Sequence, residues 1–212
     1  MKCYLDMNHP FLRTLLGLSC LYLVLQWSAC KNVKVMDVER TTPLGDTEYY
    51  SVLKKDTAKK EGLYVLMSSM GDTLEKAMYT NGQLNGNRYL FKNGKVFIIE
   101  TYLEGAYHGP YTAFFNDGQL KQKGFYKNNQ MDSIWTTYYT EKPDQIKEEV
   151  TFHNGTENGP FREYHLNGKL AAEGNYVEEF EDGEIKVYDT TGTLKKIYVY
   201  KDKRPVQTIN VP

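Results

Sequence analysis

A pattern of aromatic and glycine residues that returns every 23 to 26 residues constrains the fold of this chain more than any other feature. Each complete unit begins with an aromatic residue, followed by glycines three and seven positions later. Asn129 and Glu179 replace the first glycine in two of the units. The repeat-framework positions are Tyr79, Gly82, Gly86, Tyr102, Gly105, Gly109, Tyr126, Phe152, Gly155, Gly159 and Tyr176.

A turn signal lies in the middle of most units, as in Asn93-Gly94 and Asp117-Gly118. Tight hairpin turns need a positive φ, which Gly and Asn adopt most readily. Each unit is therefore predicted to be a strand, a tight turn, a second strand and a glycine-bearing link. A helical alternative is excluded because each glycine would cost about 1 kcal/mol at a helical position.

The repetition of the hairpin predicts the fold class. One isolated hairpin buries too little apolar surface to be stable. Stacked hairpins place equivalent positions side by side, so the recurring aromatic residues form ladders. We therefore predict an all-β protein: an elongated, twisted antiparallel sheet of tandem β-hairpins, with about six units between residues 62 and 200.

The first 29 residues have the pattern of a secretion signal. An apolar run at positions 15–25 is too short to be a good spanning helix but suits a signal-peptide core. The segment Trp27-Ser28-Ala29-Cys30 resembles the lipobox of bacterial lipoproteins. That resemblance implies cleavage before Cys30 and its acylation. An ordinary cleaved signal peptide with a chance cysteine is the alternative.

The cysteine count favours the lipoprotein interpretation. Cys3 and Cys20 leave with the predicted signal peptide, so the mature chain keeps Cys30 without a disulfide partner. We predict that Cys30 is the lipid-attachment residue and that residues 30–47 form a lipidated tether. Acyl chains anchor a protein firmly without a spanning helix. The expected location is the bacterial cell envelope, at the outer membrane if the cell is Gram-negative.

The repeat domain is predicted to occupy residues 48–212. The segment 48–53 reads as a first strand, and the charged segment 54–61 as a solvated loop or a short helical turn. The tail around Arg204-Pro205 suits an edge strand that is protected against further pairing.

The repeat signature resembles MORN-type repeats, most closely the MORN variant of the bacterial YwqK family, which is often labelled an antitoxin. Gly109-Pro110-Tyr111 and the Asn-Gly turns carry this resemblance. Ser133 and Gly183-Glu184-Ile185 depart from the pattern. The resemblance implies a sheet that serves as a scaffold or partner-binding surface. A cytoplasmic antitoxin role fits a secreted lipoprotein poorly.

The sequence offers no pattern typical of catalysis, metal binding or a cofactor. No nucleophile elbow, phosphate-binding loop or dinucleotide motif occurs. His108, His153 and His165 lie at different positions of their repeats and lack metal-ligand spacing. The formal net charge of −1 argues against general nucleic-acid binding. We therefore expect no enzyme activity, no cofactor, no metal and no nucleic-acid partner.

Acidic residues cluster at positions 178–182 and at Glu148-Glu149. Paired carboxylates could bind calcium or perform acid–base chemistry. Solvated charges in the links between repeats would instead keep a sheet protein soluble. We expect the solvated interpretation, because these residues lie in the links between repeats.

The strand aromatic residues form a candidate binding surface. Alternation places Tyr111, Trp135 and Phe161 on one face, and Phe114, Tyr138 and Tyr164 on the other. Either ladder could be exposed for recognition, or both could be covered by a second layer or by the curl of the sheet. The leading hypothesis is a non-enzymatic, membrane-anchored scaffold that binds another protein or an envelope component. The alternatives are a glycan-binding module that uses Tyr111, Trp135 and Phe161, and an immunity or antitoxin-like protein.

Overall fold

The computed structural model describes residues 33–212, which form one open antiparallel sheet of 17 strands. The predicted all-β fold of tandem hairpins is confirmed. The strands are β1 (Val35–Thr41), β2 (Thr47–Leu53), β3 (Asp56–Lys60), β4 (Gly62–Met67), β5 (Thr73–Thr80), β6 (Gln83–Lys92), β7 (Lys95–Leu103), β8 (Ala106–Tyr107), β9 (Gly109–Phe114), β10 (Leu120–Lys127), β11 (Gln130–Tyr138), β12 (Ile146–His153), β13 (Thr156–Tyr164), β14 (Leu170–Val177), β15 (Phe180–Tyr188), β16 (Leu194–Lys201) and β17 (Arg204–Asn210).

The strands pair in chain order, so each hairpin lies beside the next one. The short strand β3 pairs with one part of β2, and β4 pairs with another part of the same strand. In the same way, β8 and β9 both pair with β7. β1 pairs with β2 at one end of the series, and β17 pairs with β16 at the other. Every residue of β17 is exposed, as expected of an edge strand.

Two predictions for the N-terminal part need correction. Residues 35–41 of the predicted tether form β1, which pairs with β2 along its whole length. The predicted loop at 54–61 contains β3, in which Lys60 pairs with Val52 of β2. The ammonium group of Lys60 lies over the ring of Tyr64. The sheet therefore starts earlier than the repeat pattern indicates. Residues 1–29 and Cys30 lie outside the described part of the chain.

The first glycine of each motif lies in a two-residue turn, so the predicted link is itself a tight hairpin. In Asn81-Gly82 both residues have a positive φ, as a type I′ turn requires. Asn129 replaces the glycine at φ 69°, and its side-chain oxygen accepts a hydrogen bond from the Tyr107 amide. Glu178-Glu179 adopts the same left-handed pair without any glycine.

The type I′ turns also join consecutive repeats. The amide of Gly82 donates to the carbonyl of Lys60, and the amide of Gly105 donates to Leu84, both at 2.8 Å. Gly155 makes the same bond to Met131. The backbone donors of one hairpin are therefore satisfied by the hairpin before it, which fixes the spacing of the array.

The second glycine of the motif lies in a β-bulge. Gly159 has φ 126°, and a Cβ there would meet Cγ2 of Thr151 at 2.9 Å. The Thr151 hydroxyl donates to the carbonyl of Pro160 at 2.8 Å. Gly109 repeats this arrangement with Thr101. The Gly-Pro signature therefore reflects both a left-handed backbone and a close threonine neighbour.

Side-chain alternation gives the sheet two faces, which we call the front face and the back face. The front face carries Trp135 and Phe161, and the hydrophobic cluster around Val150 belongs to it. The back face carries the residues that alternate with the front-face residues along each strand. The most buried apolar side chains of the front face are Val52, Tyr64, Ala77, Tyr102, Ala113, Trp135, Val150, Phe161 and Ile185.

Candidate interaction surface

The structure buries the rings that the sequence analysis proposed as a binding surface. Trp135 is 4% exposed and Phe161 is 5% exposed, while Tyr111 is half-buried. The Trp135 ring packs against Tyr111 at 5.3 Å and against Tyr126 at 5.1 Å between ring centroids. These rings are covered by neighbours on the same face, so the proposed stacking surface needs correction: Trp135 and Phe161 are core residues.

Small residues beneath the large rings make this burial possible. Gly124 lies below the indole of Trp135, and Gly174 lies between Phe161 and Ile185. Neither glycine has a positive φ. Their role is to leave room for the neighbouring side chains. Neither glycine belongs to the predicted repeat framework, although each precedes a framework tyrosine by two residues.

A charged group interrupts the aromatic row in the middle of the sheet. Arg88 Nε donates to Glu75 at 2.8 Å, and Arg88 Nη1 donates to Glu100 at 3.2 Å. Glu100 is 6% exposed and also accepts hydrogen bonds from Tyr102 and Tyr107. The Glu75 hydrogen bond raises the pKa of Arg88. The guanidinium therefore forms ion pairs with two carboxylates that share the front face.

A second charged group lies near the N-terminal end of the sheet. Glu48 is 7% exposed, accepts a hydrogen bond from the Tyr64 hydroxyl at 3.0 Å, and forms an ion pair with Arg40. Burial, with the nearby Glu48 carboxylate, raises the pKa of Tyr64.

The ammonium group of Lys60 occupies a cage of three tyrosine rings. Its Nζ lies 4.1 Å from the Tyr64 centroid, 4.7 Å from Tyr50 and 5.2 Å from Tyr79. Glu48 lies 3.9 Å from the same nitrogen. Burial lowers the pKa of Lys60. The lysine thus fills an aromatic cage of the kind that attracts cations.

The front face of β12 to β16 has a different electrostatic character. Val150, Phe161 and Ile185 form its buried row, with Tyr176 and Tyr198 packed beside them. Carboxylates lie on both sides of this row. Glu148 is the direct cross-strand partner of Glu163 on one side, and on the other side Glu157 faces Phe152 and Glu181 faces Tyr176.

These carboxylates influence one another and the neighbouring tyrosine. Burial, followed by the adjacent Glu163 charge, raises the pKa of Glu148. Burial, followed by the charges of Glu157 and Glu181, raises the pKa of Tyr176 to about 12. This part of the front face therefore combines apolar side chains with a concentrated negative charge.

The second predicted aromatic ladder lies on the back face, as alternation indicated. The Tyr164 hydroxyl donates to Glu149 at 3.0 Å, and the Tyr188 hydroxyl donates to Glu173 at 2.8 Å. Lys123 lies 5.8 Å from the Tyr138 ring centroid. The back face is therefore organised by polar pairs between tyrosine hydroxyls and charged side chains. An additional depression of about 590 Å³ lies beside β1 and is lined in part by Asp37, Tyr49 and Leu63.

The three described histidines are separate from one another. His108 Nδ1 lies 3.1 Å from Asn128, and His165 Nε2 lies 3.0 Å from the Tyr188 carbonyl. His153 lies 3.8 Å from Asp132. Between residues 33 and 212, no group of three His, Cys, Asp or Glu side chains has the geometry of a metal site. The same part of the chain contains no helix with the length and hydropathy needed to cross a membrane.

An open single-layer sheet of tandem β-hairpins defines a class of repeat protein in which each unit supports its neighbours. Three segments, residues 107–128, 157–178 and 181–202, match the family model of the MORN repeat variant. Each segment covers two antiparallel strands and the turn between them. MORN repeats are a non-enzymatic repeat type, and they generally mediate interactions with proteins or membranes. A comparison with curated proteins gives no significant match.

Proposed function

We propose that this protein is a non-enzymatic scaffold of the bacterial cell envelope, held at the membrane by acylated Cys30, whose hairpin sheet binds another protein or an envelope component. The observation that carries the proposal is the front face of β12 to β16. The half-buried tyrosines Tyr176 and Tyr198 lie there on an uncovered sheet face, with Glu157 and Glu181 at its edge. Tyrosine is enriched at protein interfaces, and polar residues commonly form the rim around it.

A protein partner is favoured over a glycan partner because of where the rings lie. Sugar stacking needs an exposed aromatic face, whereas Trp135 and Phe161 are 4% and 5% exposed. The YwqK-like resemblance also allows an immunity or antitoxin role. A toxin-like open reading frame beside the gene would support that alternative.

Photo-crosslinking in intact cells tests the scaffold function. We would place a crosslinking amino acid at Glu181 on the front face and, in a separate variant, at Glu184 on the back face. We expect a defined adduct with another protein from position 181. A lack of adducts from positions on both faces would contradict the scaffold function.

Membrane fractionation tests the anchor independently. The Cys30→Ala variant should lose acylation and leave the membrane fraction, while Cys20→Ala should remain there after processing. Full membrane retention of a cleaved Cys30→Ala protein would contradict the proposed attachment.

A further inference from the structure

We propose that the front face of β12 to β16 binds a basic amphipathic segment of another protein. This inference rests on the scaffold function and names the chemistry of its partner. The binding surface consists of the half-buried tyrosines Tyr176 and Tyr198, which pack against the buried row of Phe161 and Ile185, between two acidic flanks.

The apolar row supplies the first part of the recognition. Phe161 packs on Tyr176 with a centroid separation of 4.6 Å, and Tyr198 is the cross-strand partner of Ile185. Both tyrosines are half-buried, so part of each ring faces outward. A partner's apolar side chains would cover these ring surfaces and remove them from water.

The acidic flanks supply the second part. Glu148 and Glu163 lie on one side of the row, and Glu157 and Glu181 lie on the other. Phe152, the cross-strand partner of Glu157, lies four positions after Glu148 on β12, so the flanks are about 13 Å apart. An α-helix with its side chains is about 10 to 12 Å wide, so a helix or a strand with basic residues on both sides fits between them.

The charges on this surface lack partners, in contrast to those at the N-terminal end of the same face. Glu48 is paired with Arg40, and Glu75 and Glu100 are paired with Arg88. Within residues 33–212, none of the four glutamates on the flanks forms an ion pair with Lys or Arg.

One basic side chain belongs to the same part of the front face. Lys196 is the cross-strand partner of Val187 on β15. It is three strands away from Glu163, or about 14 Å, and exposed charges at that distance are largely screened at physiological salt. The surface therefore remains acidic and selects a cationic partner over an anionic membrane.

The direct test is peptide binding to the full-length protein in a neutral detergent. The probe is a labelled helical peptide of about 14 residues with leucine on one side and lysine on the other. Its controls are the same peptide with glutamate for lysine, a scrambled peptide, and empty micelles. Fluorescence anisotropy should show saturable binding of the basic amphipathic peptide that weakens with added salt.

The decisive comparison uses two variants with the same change in net charge. The front-face variant is E148Q/E157Q/E163Q/E181Q, and the control variant is E141Q/E178Q/E179Q/E184Q, at exposed positions outside the front surface. We expect at least about a tenfold loss of affinity in the front-face variant and less than about a threefold loss in the control. Circular dichroism would establish that both variants fold.

Three results would overturn the inference. They are equal losses in the two variants, equal binding of the scrambled peptide, and a change of oligomeric state in the front-face variant alone, which would identify a second copy as the occupant. The scaffold function has a separate outcome. If crosslinking in cells captures a partner while the basic peptide fails to bind, the scaffold stands and the partner chemistry proposed here is wrong.

Discussion

Gly124 lies directly beneath the indole of Trp135, in the space that any larger side chain at position 124 would need. The two residues belong to adjacent strands, β10 and β11. Trp135 Nε1 also donates to the carbonyl of Phe125 at 3.3 Å, which holds the ring over the glycine. At this point the front face is packed by a large ring that lies over a glycine.

We expect Gly124→Ala to destabilise the protein by about 1 to 3 kcal/mol, because a Cβ at this position overpacks the Trp135 ring. Urea unfolding followed by tyrosine and tryptophan fluorescence measures the change. The Trp135→Leu variant should relieve the clash. The double variant should therefore lose less stability than the sum of the losses in the two single variants.

Gly94→Ala is the matched control for this prediction. Gly94 has φ 72°, and nothing lies within 4 Å of a Cβ built there. Its substitution should act only through backbone strain and should combine additively with Trp135→Leu. Additive behaviour of Gly124→Ala with Trp135→Leu would show that the ring is not the cause.

The comparison of Gly94 with Gly124 explains which glycines the sequence could predict. Gly94 follows an asparagine in a tight turn, and the need for a positive φ is a local property that the dipeptide reveals. Gly124 has an ordinary strand conformation. Its requirement comes from Trp135 across the strand pair, and the β-bulge between Lys123 and Phe125 changes the register that would identify this partner.

The pairing of the charged residues is equally hard to predict from the sequence. The hairpin period predicts the sheet because every unit repeats it. β1 and β3 lack the motif, so the sequence predicts a tether and a loop in their place. Lys60 pairs with Val52 of β2, and three tyrosines surround its ammonium group. Likewise, the contrast between Glu100, which is paired, and Glu181, which is not, depends on cross-strand neighbours rather than on local sequence.

Lys60→Met should destabilise the protein by about 1 to 2 kcal/mol, since it removes cation–π contacts with partly buried rings. The substitution keeps most of the side-chain volume and leaves Glu48 with Arg40 as its remaining basic partner. Thermal and urea unfolding measure the effect. Lys123→Met is the control, because that ammonium group lies 5.8 Å from a single ring. Equal effects of the two substitutions would contradict the role of the cage.

Glu148→Gln should stabilise the protein at neutral pH. Burial and the Glu163 charge raise the pKa of Glu148 above its ordinary value of 4.5, so the folded state holds this proton more tightly than the unfolded state. The resulting penalty is absent below pH 4.5 and grows as the pH rises above it. The difference in melting temperature between the variant and the wild type should therefore be larger at pH 7 than at pH 4.

Glu184→Gln is the control for this pH dependence, because Glu184 is exposed and lies on the back face. Its difference from the wild type should change little between the same two pH values. A stabilisation by Glu148→Gln that is equal at pH 4 and pH 7 would refute the electrostatic explanation.

Asp189 should contribute to stability at neutral pH and lose this contribution in acid. Its carboxylate accepts hydrogen bonds from the Thr191 hydroxyl and the Thr193 amide, which lower its pKa to about 2. Since the unfolded value is near 3.8, the contribution is complete above that pH and disappears as the pH falls towards 2. Asp189→Asn should therefore be destabilising in urea unfolding at pH 7 and nearly neutral at pH 2. Thr191→Val should raise the pKa of Asp189 and move this transition to higher pH, and an unchanged transition would exclude the hydroxyl as its main cause.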